Sequence, residues 1–408
     1  MKKILFFLFF ITASNFGQQN ISPILIEHNT LVSDTSQLEI ISYRIPYKNL
    51  LFIKNGEDYS TSFTLTLEFF KDTEFVSRQI VQPKFSLNSY KETLSGDKYF
   101  QDFVDVKLLP GKYILKPLLN LESTDLEYKI PEQNINVDSV KNNFQDPVIV
   151  LSNANSKNNE FILANFANKI PFAPQKYNIL FGLKDTANAE IKASIEQFDK
   201  EIFTNTLKPI SEGNFEISKN LNEIGINIKK IPGLKIYQIS NFSHLLYEGP
   251  FELTIIVDTV KHKYSLSTIW PEKPKVLNNP EYAIRLLEYI EKEDVLGELL
   301  SSDDELYYKN LCEYWIDKFP ADGMKYNYAM TEFYTRVDYA IENYSSLNSY
   351  DGAERDRGRI YILYGEPSNI ERNYSEINEI MEIWTYEKIA RKFIFKDVNG
   401  TGKFDLTN

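Results

Sequence analysis

The feature that most restricts the fold of this chain is a change in the spacing of its apolar residues. Up to about residue 270, short runs alternate between apolar and polar positions, as in Phe63, Leu65, Leu67 and Phe69. This period of two is typical of half-buried β-strands. After residue 280 the apolar residues recur at helical spacing, and strand patterns return only near the end. The sequence therefore predicts a multidomain chain, with an all-β N-terminal part followed by an α+β domain that has an antiparallel sheet.

The predicted strands of the N-terminal part fall into two groups. The first includes residues 38–45, residues 61–70 and a strand that opens at Leu108-Leu109-Pro110-Gly111. The second includes residues 161–166, 177–183, 190–198 and 251–257, and the Asn- and Ser-rich residues 152–159 predict a loop within this part of the chain. Many short strands with turn signals between them favour β-sandwiches. We predict two β-sandwich-like segments, at residues 20–143 and 144–272.

The C-terminal third differs in charge as well as in period. Residues 275–408 contain 16 Lys and Arg against 26 Asp and Glu, so most of the net charge of −12 lies there. Pro271 and Pro274 mark the boundary, because proline blocks regular structure. We predict a domain at 275–408 with helices at 281–300, 302–319 and 326–344, the second opened by a Ser302–Glu305 capping box. Strands are predicted at 359–364, 381–386 and 392–396.

The N-terminus predicts the compartment. Lys2 and Lys3 precede an apolar run at residues 4–11 and then small residues, which is the order of a secretory signal peptide, assigned here to residues 1–19. We therefore expect an exported protein that is periplasmic, on the outer surface or secreted, with no transmembrane segment. Cys312 has no partner for a disulfide and lies on an apolar helix stripe, so we expect it to be buried. The acidic balance argues against a nucleic-acid partner.

Several tracts of the C-terminal third resemble one family in their order along the chain. These tracts are Glu313-Tyr314-Trp315, residues 327–340, residues 356–367, Glu382-Ile383-Trp384-Thr385-Tyr386, residues 393–397 and Asn399-Gly400-Thr401-Gly402. Together they resemble the GWxTD domain, and residues 356–367 are similar to its signature strand. Residues 44–52 and 109–113 are similar to the β domain that these proteins carry in front. The resemblance implies an exported bacterial protein, and it implies no established activity.

The chain departs from that family at the naming motif. The five positions are Gly352-Ala353-Glu354-Arg355-Asp356, so Ala353 stands where the family has Trp and Arg355 where it has Thr. A family role that required either side chain is in doubt for this chain.

The densest polar cluster beside a predicted strand is Asp356-Arg357-Gly358-Arg359. Asp356 could orient Arg357 or Arg359 to hold a carboxylate or a sugar bidentately. The alternative, which we favour, is a structural set of caps and ion pairs, because such networks imitate functional sites. Tyr334 and Arg336 on the third predicted helix could face this tract, and the same two interpretations apply to them.

A second candidate is one face of the strand at 381–386. Glu382, Trp384 and Tyr386 share that face, which is polar for a core. Since Trp and Tyr are enriched at interfaces, the face could be a binding surface, and the alternative, which we favour, is an ordinary core position.

The residue sets that a metal site or an enzyme active site would need are incomplete in this sequence. Residues 397–405 resemble a calcium loop, but position 12 is Asn408 rather than Glu, and two glycines between strands more simply form a hairpin turn. His28, His244 and His262 have no zinc-site spacing. We therefore predict no metal, no cofactor and no catalytic residue.

The leading hypothesis is a non-enzymatic binding or assembly protein of the cell envelope or exterior, with protein or envelope glycan as its partner. The alternative is a carboxylate-dependent hydrolase acting on glycan or peptide through the C-terminal domain.

Overall fold

A computed structural model describes residues 23–32, 37–122, 124–138, 144–152, 160–184, 190–220, 222–346, 351–374 and 379–407. The predicted signal peptide lies outside these residues. Strands account for 51% and helices for 21% of the structure, with several antiparallel sheets first and helices with an antiparallel sheet last. The predicted fold class is confirmed. None of the helices in the described ranges is long and apolar enough to cross a membrane.

The residues that the structure describes between 25 and 269 form four β-sheets. Sheet 1 consists of β3 (Ile53–Asn55), β4 (Asp58–Lys71), β5 (Glu74–Val81), β6 (Lys84–Leu87), β8 (Gly111–Leu121), β9 (Glu127–Lys129) and β10 (Gln133–Val137). Sheet 2 consists of β1 (Leu25–Val32), β2 (Gln37–Pro46) and β7 (Tyr99–Val106), and a short helix α1 (Tyr90–Thr93) precedes β7. Sheet 3 consists of β11 (Phe144–Leu151), β12 (Glu160–Ile162), β14 (Tyr177–Leu183), β17 (Ser211–Asn220) and β18 (Glu223–Ile239). Sheet 4 consists of β13 (Lys169–Pro171), β15 (Ile191–Gln197), β16 (Lys200–Leu207), β19 (Gly249–Val257) and β20 (Val260–Ile269).

The four sheets stack in the order 1, 2, 3, 4, with an apolar core in each gap. Ile41 and Tyr43 of sheet 2 share a core with Phe63 and the rest of the alternating run in sheet 1. The opposite face of sheet 2 shares a second core with sheet 3, and sheets 3 and 4 enclose a third. Strand β2 is therefore buried on both faces, with seven consecutive buried residues. The predicted sandwiches are present as sheet pairs, and a common core joins them.

A polar cluster lies in the gap between sheets 2 and 3. The guanidinium of Arg44 is buried between the rings of Tyr99 and Phe166, 4.2 and 3.9 Å from their centroids. It donates to Gln101 Oε1 at 2.9 Å. Glu27 is buried nearby, and its carboxylate accepts from Asn29 Nδ2 at 2.8 Å. These polar side chains occupy one part of the gap, and the rest of the gap is apolar.

The described residues of the C-terminal part form five α-helices and sheet 5. The helices are α2 (Pro280–Arg285), α3 (Glu293–Leu299), α4 (Tyr307–Lys318), α5 (Tyr328–Asn343) and α6 (Asp356–Tyr364). Sheet 5 contains β21 (Asn369–Tyr374), β22 (Ile380–Tyr386), β23 (Arg391–Asp397) and β24 (Asp405–Leu406), antiparallel and in that order. One core joins Trp315 of α4, Val337 of α5, Ile360 of α6 and Trp384 of β22.

Two helix predictions need correction. The predicted helix at 281–300 is α2, a 3-10 turn at Leu286–Tyr289 and α3. The Ser302–Glu305 capping box is absent, because a 3-10 turn precedes α4 and the Ser302 hydroxyl donates to the Asp303 carbonyl instead.

The predicted strand at 359–364 is wrong, since these residues belong to α6. Gly358, Ile360 and Ile362 are buried at alternate positions, which is the pattern that suggested a strand. The helix packs on α5 and sheet 5, so most of its faces are covered and the helical period is hidden. A Cβ at Gly358 would collide with the carbonyl oxygen of Gly352, so the glycine permits this close approach.

The helices also contact sheet 4. Tyr308 of α4 donates its hydroxyl to Glu248 Oε2 at 2.9 Å, and Lys273 Nζ donates to the same oxygen at 2.8 Å. Cys312 lies one turn along from Tyr308 and is only partly exposed, and burial raises the pKa of its thiol to about 12. A raised pKa disfavours the thiolate, which is the nucleophilic form of cysteine.

Candidate functional site

The C-terminal domain contains a buried cluster built around Glu382. Arg357, in the first turn of α6, donates from its guanidinium to Glu382 Oε2 at 3.3 Å. Arg372, on β21, donates from Nε to Glu382 Oε1 at 2.9 Å. The indole of Trp384 also donates to Glu382 Oε2, at 3.3 Å. Both oxygens of this carboxylate are therefore engaged, and two arginines share one acid.

Aromatic rings enclose the buried arginine of the cluster. The guanidinium of Arg357 lies 3.9 Å from the ring centroid of Phe404 and 5.2 Å from that of Tyr344. It also donates to the carbonyl oxygen of Gly402 at 3.3 Å. Burial lowers the pKa of Arg357, and the neighbouring Glu382 carboxylate opposes that shift. The cluster thus stabilises a charge in the core and leaves Arg357 no exposed face for a ligand.

The glycine turn is held by Asp397. Its buried carboxylate accepts the backbone amides of Thr401 at 3.1 Å and Gly402 at 2.7 Å. Gly400 and Gly402 have φ angles of 64° and 81°, which favour glycine. The calcium-like sequence therefore forms a hairpin turn whose acid binds the backbone. Among the described residues, no group of three or more His, Cys, Asp or Glu is placed to hold a metal ion.

The structure separates the residues predicted to act together. Asp356 Oδ2 accepts the Leu406 amide at 2.6 Å and so fixes β24, while Arg359 is exposed. Tyr334 is buried among the helices and donates to the Ala283 carbonyl at 2.9 Å. Arg336 reaches the other end of α6, where it donates to the Ile362 carbonyl at 3.3 Å. Only Arg357 of this tract joins Glu382 and Trp384.

Glu382, Trp384 and Tyr386 share a buried face, which is the core position given above as the alternative to a binding surface. Glu382 is 2% exposed, Trp384 0% and Tyr386 5%. The face is turned toward α5 and α6, where Trp384 packs on Tyr344. A carboxylate is tolerated there because it is paired with arginines, and the Tyr386 hydroxyl donates to the Gly365 carbonyl at 2.8 Å.

β21 was not predicted from the sequence, and it is the exposed part of this site. All six of its residues are exposed, and Arg372 connects it to the buried carboxylate. The alternation of Ile370, Arg372 and Tyr374 was the available signal, but the intervening polar residues made the segment look like a loop.

The family model described as the GWxTD domain matches residues 254–406. This chain contains a GWxTD domain. No curated protein matches the chain. The match begins inside β19, so the GWxTD domain as the family model defines it includes the end of β19 and all of β20 in sheet 4.

Two residues of the GWxTD motif, Gly352 and Asp356, are present in this chain, and the structure shows what each of them contacts. Gly352 packs against α5 so closely that a Cβ would collide with the Ala340 carbonyl oxygen. Asp356 fixes β24, as described above. Ala353, at the position of the family Trp, is fully buried, and its carbonyl accepts the Tyr289 hydroxyl at 3.0 Å. The kept residues hold the turn before α6 in place.

Proposed function

We propose that this protein is an exported, non-enzymatic binding or assembly protein of the bacterial cell envelope or exterior. The observation that carries the proposal is β21, a strand with all six residues exposed that is anchored to the core by the Arg372–Glu382 ion pair. A buried anchor beneath an exposed strand suits a surface that must keep its shape while it contacts a partner. Export rests on the order of charged, apolar and small residues at the N-terminus.

The state of the acidic groups supports binding over hydrolysis. A glycosidase-type mechanism needs two carboxylates facing each other across a cleft. The buried acids Glu382 and Asp397 are already occupied by arginines and backbone amides. A groove of about 660 Å³ between α3 and α4 contains Glu298, Glu313 and Asp317, but all three are exposed. An exposed groove of this kind lacks the enclosed setting, with water excluded, of a hydrolytic site.

The test is capture from envelope extracts with matched surface variants of the full-length protein. The β21 variant replaces Ile370 and Tyr374 with Ser. The control makes the same replacement at Ile389 and Val398, which are 45% and 57% exposed in the same domain. We expect the wild type and the control to retain the same partner and the β21 variant to lose it. Equal capture by all three proteins would contradict the use of β21, and no capture by any would contradict the binding function.

A further inference from the structure

The two edge strands of sheet 5 differ in how they are protected. At one edge, β24 is only two residues long, and Asp356 binds its Leu406 amide. At the other edge, β21 pairs with β22 on one side, and no described strand pairs with its outer side. An unprotected edge strand presents a row of free N–H and C=O groups that can pair with another extended chain.

The side chains of β21 form a row that continues the buried face of β22. Ile370 is paired with Trp384, Arg372 with Glu382 and Tyr374 with Ile380, so these side chains share one face. The β22 members of that face are largely covered by helices, whereas Ile370 is 50% and Tyr374 70% exposed. The row therefore offers two apolar positions on either side of an arginine.

The charge of this row favours an acidic partner. Arg357 and Arg372 share the single carboxylate of Glu382, which leaves one positive charge in excess. Arg372 carries that excess to the surface, since its side chain is 50% exposed. Glu371 points to the opposite face of the sheet and does not neutralise it.

The same charges disfavour a second copy of this chain as the partner. Antiparallel pairing of two β21 strands about their centre would place Glu371 opposite Glu371, or Arg372 opposite Arg372. Like charges directly opposite each other destabilise a strand pair. A different extended chain is the better occupant.

We propose that β21 binds an extended polypeptide by strand addition, with an acidic residue opposite Arg372 and apolar residues opposite Ile370 and Tyr374. Main-chain hydrogen bonds would supply affinity, and the alternating side chains would supply specificity. This inference rests on the proposed function and names the class of partner for the same surface. The ligand pattern is an acidic residue with an apolar residue two positions away on each side.

The test uses three fluorescein-labelled synthetic peptides and the full-length protein, with binding followed by fluorescence polarisation. The parent peptide is Ser-Val-Thr-Glu-Thr-Val-Ser, the second has Lys in place of Glu, and the third is the parent with alternate backbone nitrogens methylated. We expect the parent to bind about tenfold more tightly than the Lys peptide. The methylated peptide should not bind, because it cannot complete the strand ladder.

Three results would overturn the inference: equal binding of the Glu and Lys peptides, equal binding of the methylated peptide, or no binding of any peptide. Arg372→Gln should reduce the preference for Glu over Lys, and tryptophan fluorescence checks that this variant stays folded. If none of the peptides binds but extract capture still depends on Ile370 and Tyr374, strand addition fails while the binding function stands. Capture that survives protease treatment of the extract would indicate a glycan and would also overturn the inference.

Discussion

The buried arginines of the β-stack and of the GWxTD domain have similar surroundings and different connections. Arg44 lies between Tyr99 and Phe166, and Arg357 lies against Phe404 and Tyr344. Arg44 bonds to a neutral amide on the neighbouring strand of its own sheet, so its contacts end inside the protein. Arg357 bonds to Glu382, which also binds Arg372 on an exposed strand. A buried arginine on aromatic rings is thus a packing device in both regions, and only the second one is connected to the surface.

The largest expected effect is at Glu382. Glu382→Gln leaves Arg357 buried without its countercharge, which should lower the free energy of unfolding by about 3 kcal/mol. All three tryptophans, Trp270, Trp315 and Trp384, belong to the core of the GWxTD domain, so fluorescence during urea unfolding reports on that domain. Glu371→Gln on the exposed strand is the control, with an expected change within about 0.5 kcal/mol. An equal effect of both variants would mean that Glu382 does not anchor β21.

A smaller loss is expected at Arg44. Arg44→Met keeps most of the packing but removes the donor to Gln101 and the cation between the rings, which should cost about 2 kcal/mol. The loss should appear in the unfolding of the β-sheets followed by far-UV circular dichroism. Arg78→Met is the control, since Arg78 forms an exposed ion pair with Glu68. A loss no larger than that of the control would show that the gap between sheets 2 and 3 does not need the cation.

Glu27 determines the pH dependence of the polar cluster between sheets 2 and 3. Burial raises the pKa of Glu27, although hydrogen bonds from the Asn168 amide and Asn29 oppose it. A raised folded-state pKa means that the stabilisation is complete below the ordinary value of 4.5 and is lost as the pH rises through the folded pKa. The Glu27→Gln variant should therefore gain stability relative to the wild type as the pH rises toward neutrality. Urea midpoints across that range would refute the sign if the difference between the two proteins stayed constant.

The smallest expected effect is at Arg336. Its guanidinium binds the Ile362 and Leu363 carbonyls at the C-terminal end of α6, where a cation interacts favourably with the helix dipole. Arg336→Gln should cost about 0.5 kcal/mol, measured by the tryptophan unfolding curve. The exposed Arg359→Gln is the comparison and should leave the curve unchanged. A loss as large as that of Glu382→Gln would place Arg336 in the anchoring cluster.

The sequence predicted the parts of the fold that show a clear period. The alternating run in β4 and the apolar stripe of α5 were both found, because each element is buried on one face. Residues 359–364 were misread as a strand because α6 is covered on most faces, which hides its period. Arg357 and Glu382 were both named as candidates, but in two separate sites, and their contact appears only in the folded protein. Burial of Trp384 depends on helices that lie far away in sequence, and no local pattern reports it.

The most direct test of β21 as the binding surface is amide hydrogen exchange of the full-length protein, alone and with the partner captured from envelope extracts. We predict that peptides covering Asn369–Tyr374 gain protection when the partner is added. The outer faces of sheets 1 and 4 should exchange at the same rate in both samples. Protection elsewhere, with unchanged exchange in β21, would contradict the assignment of this strand as the binding surface.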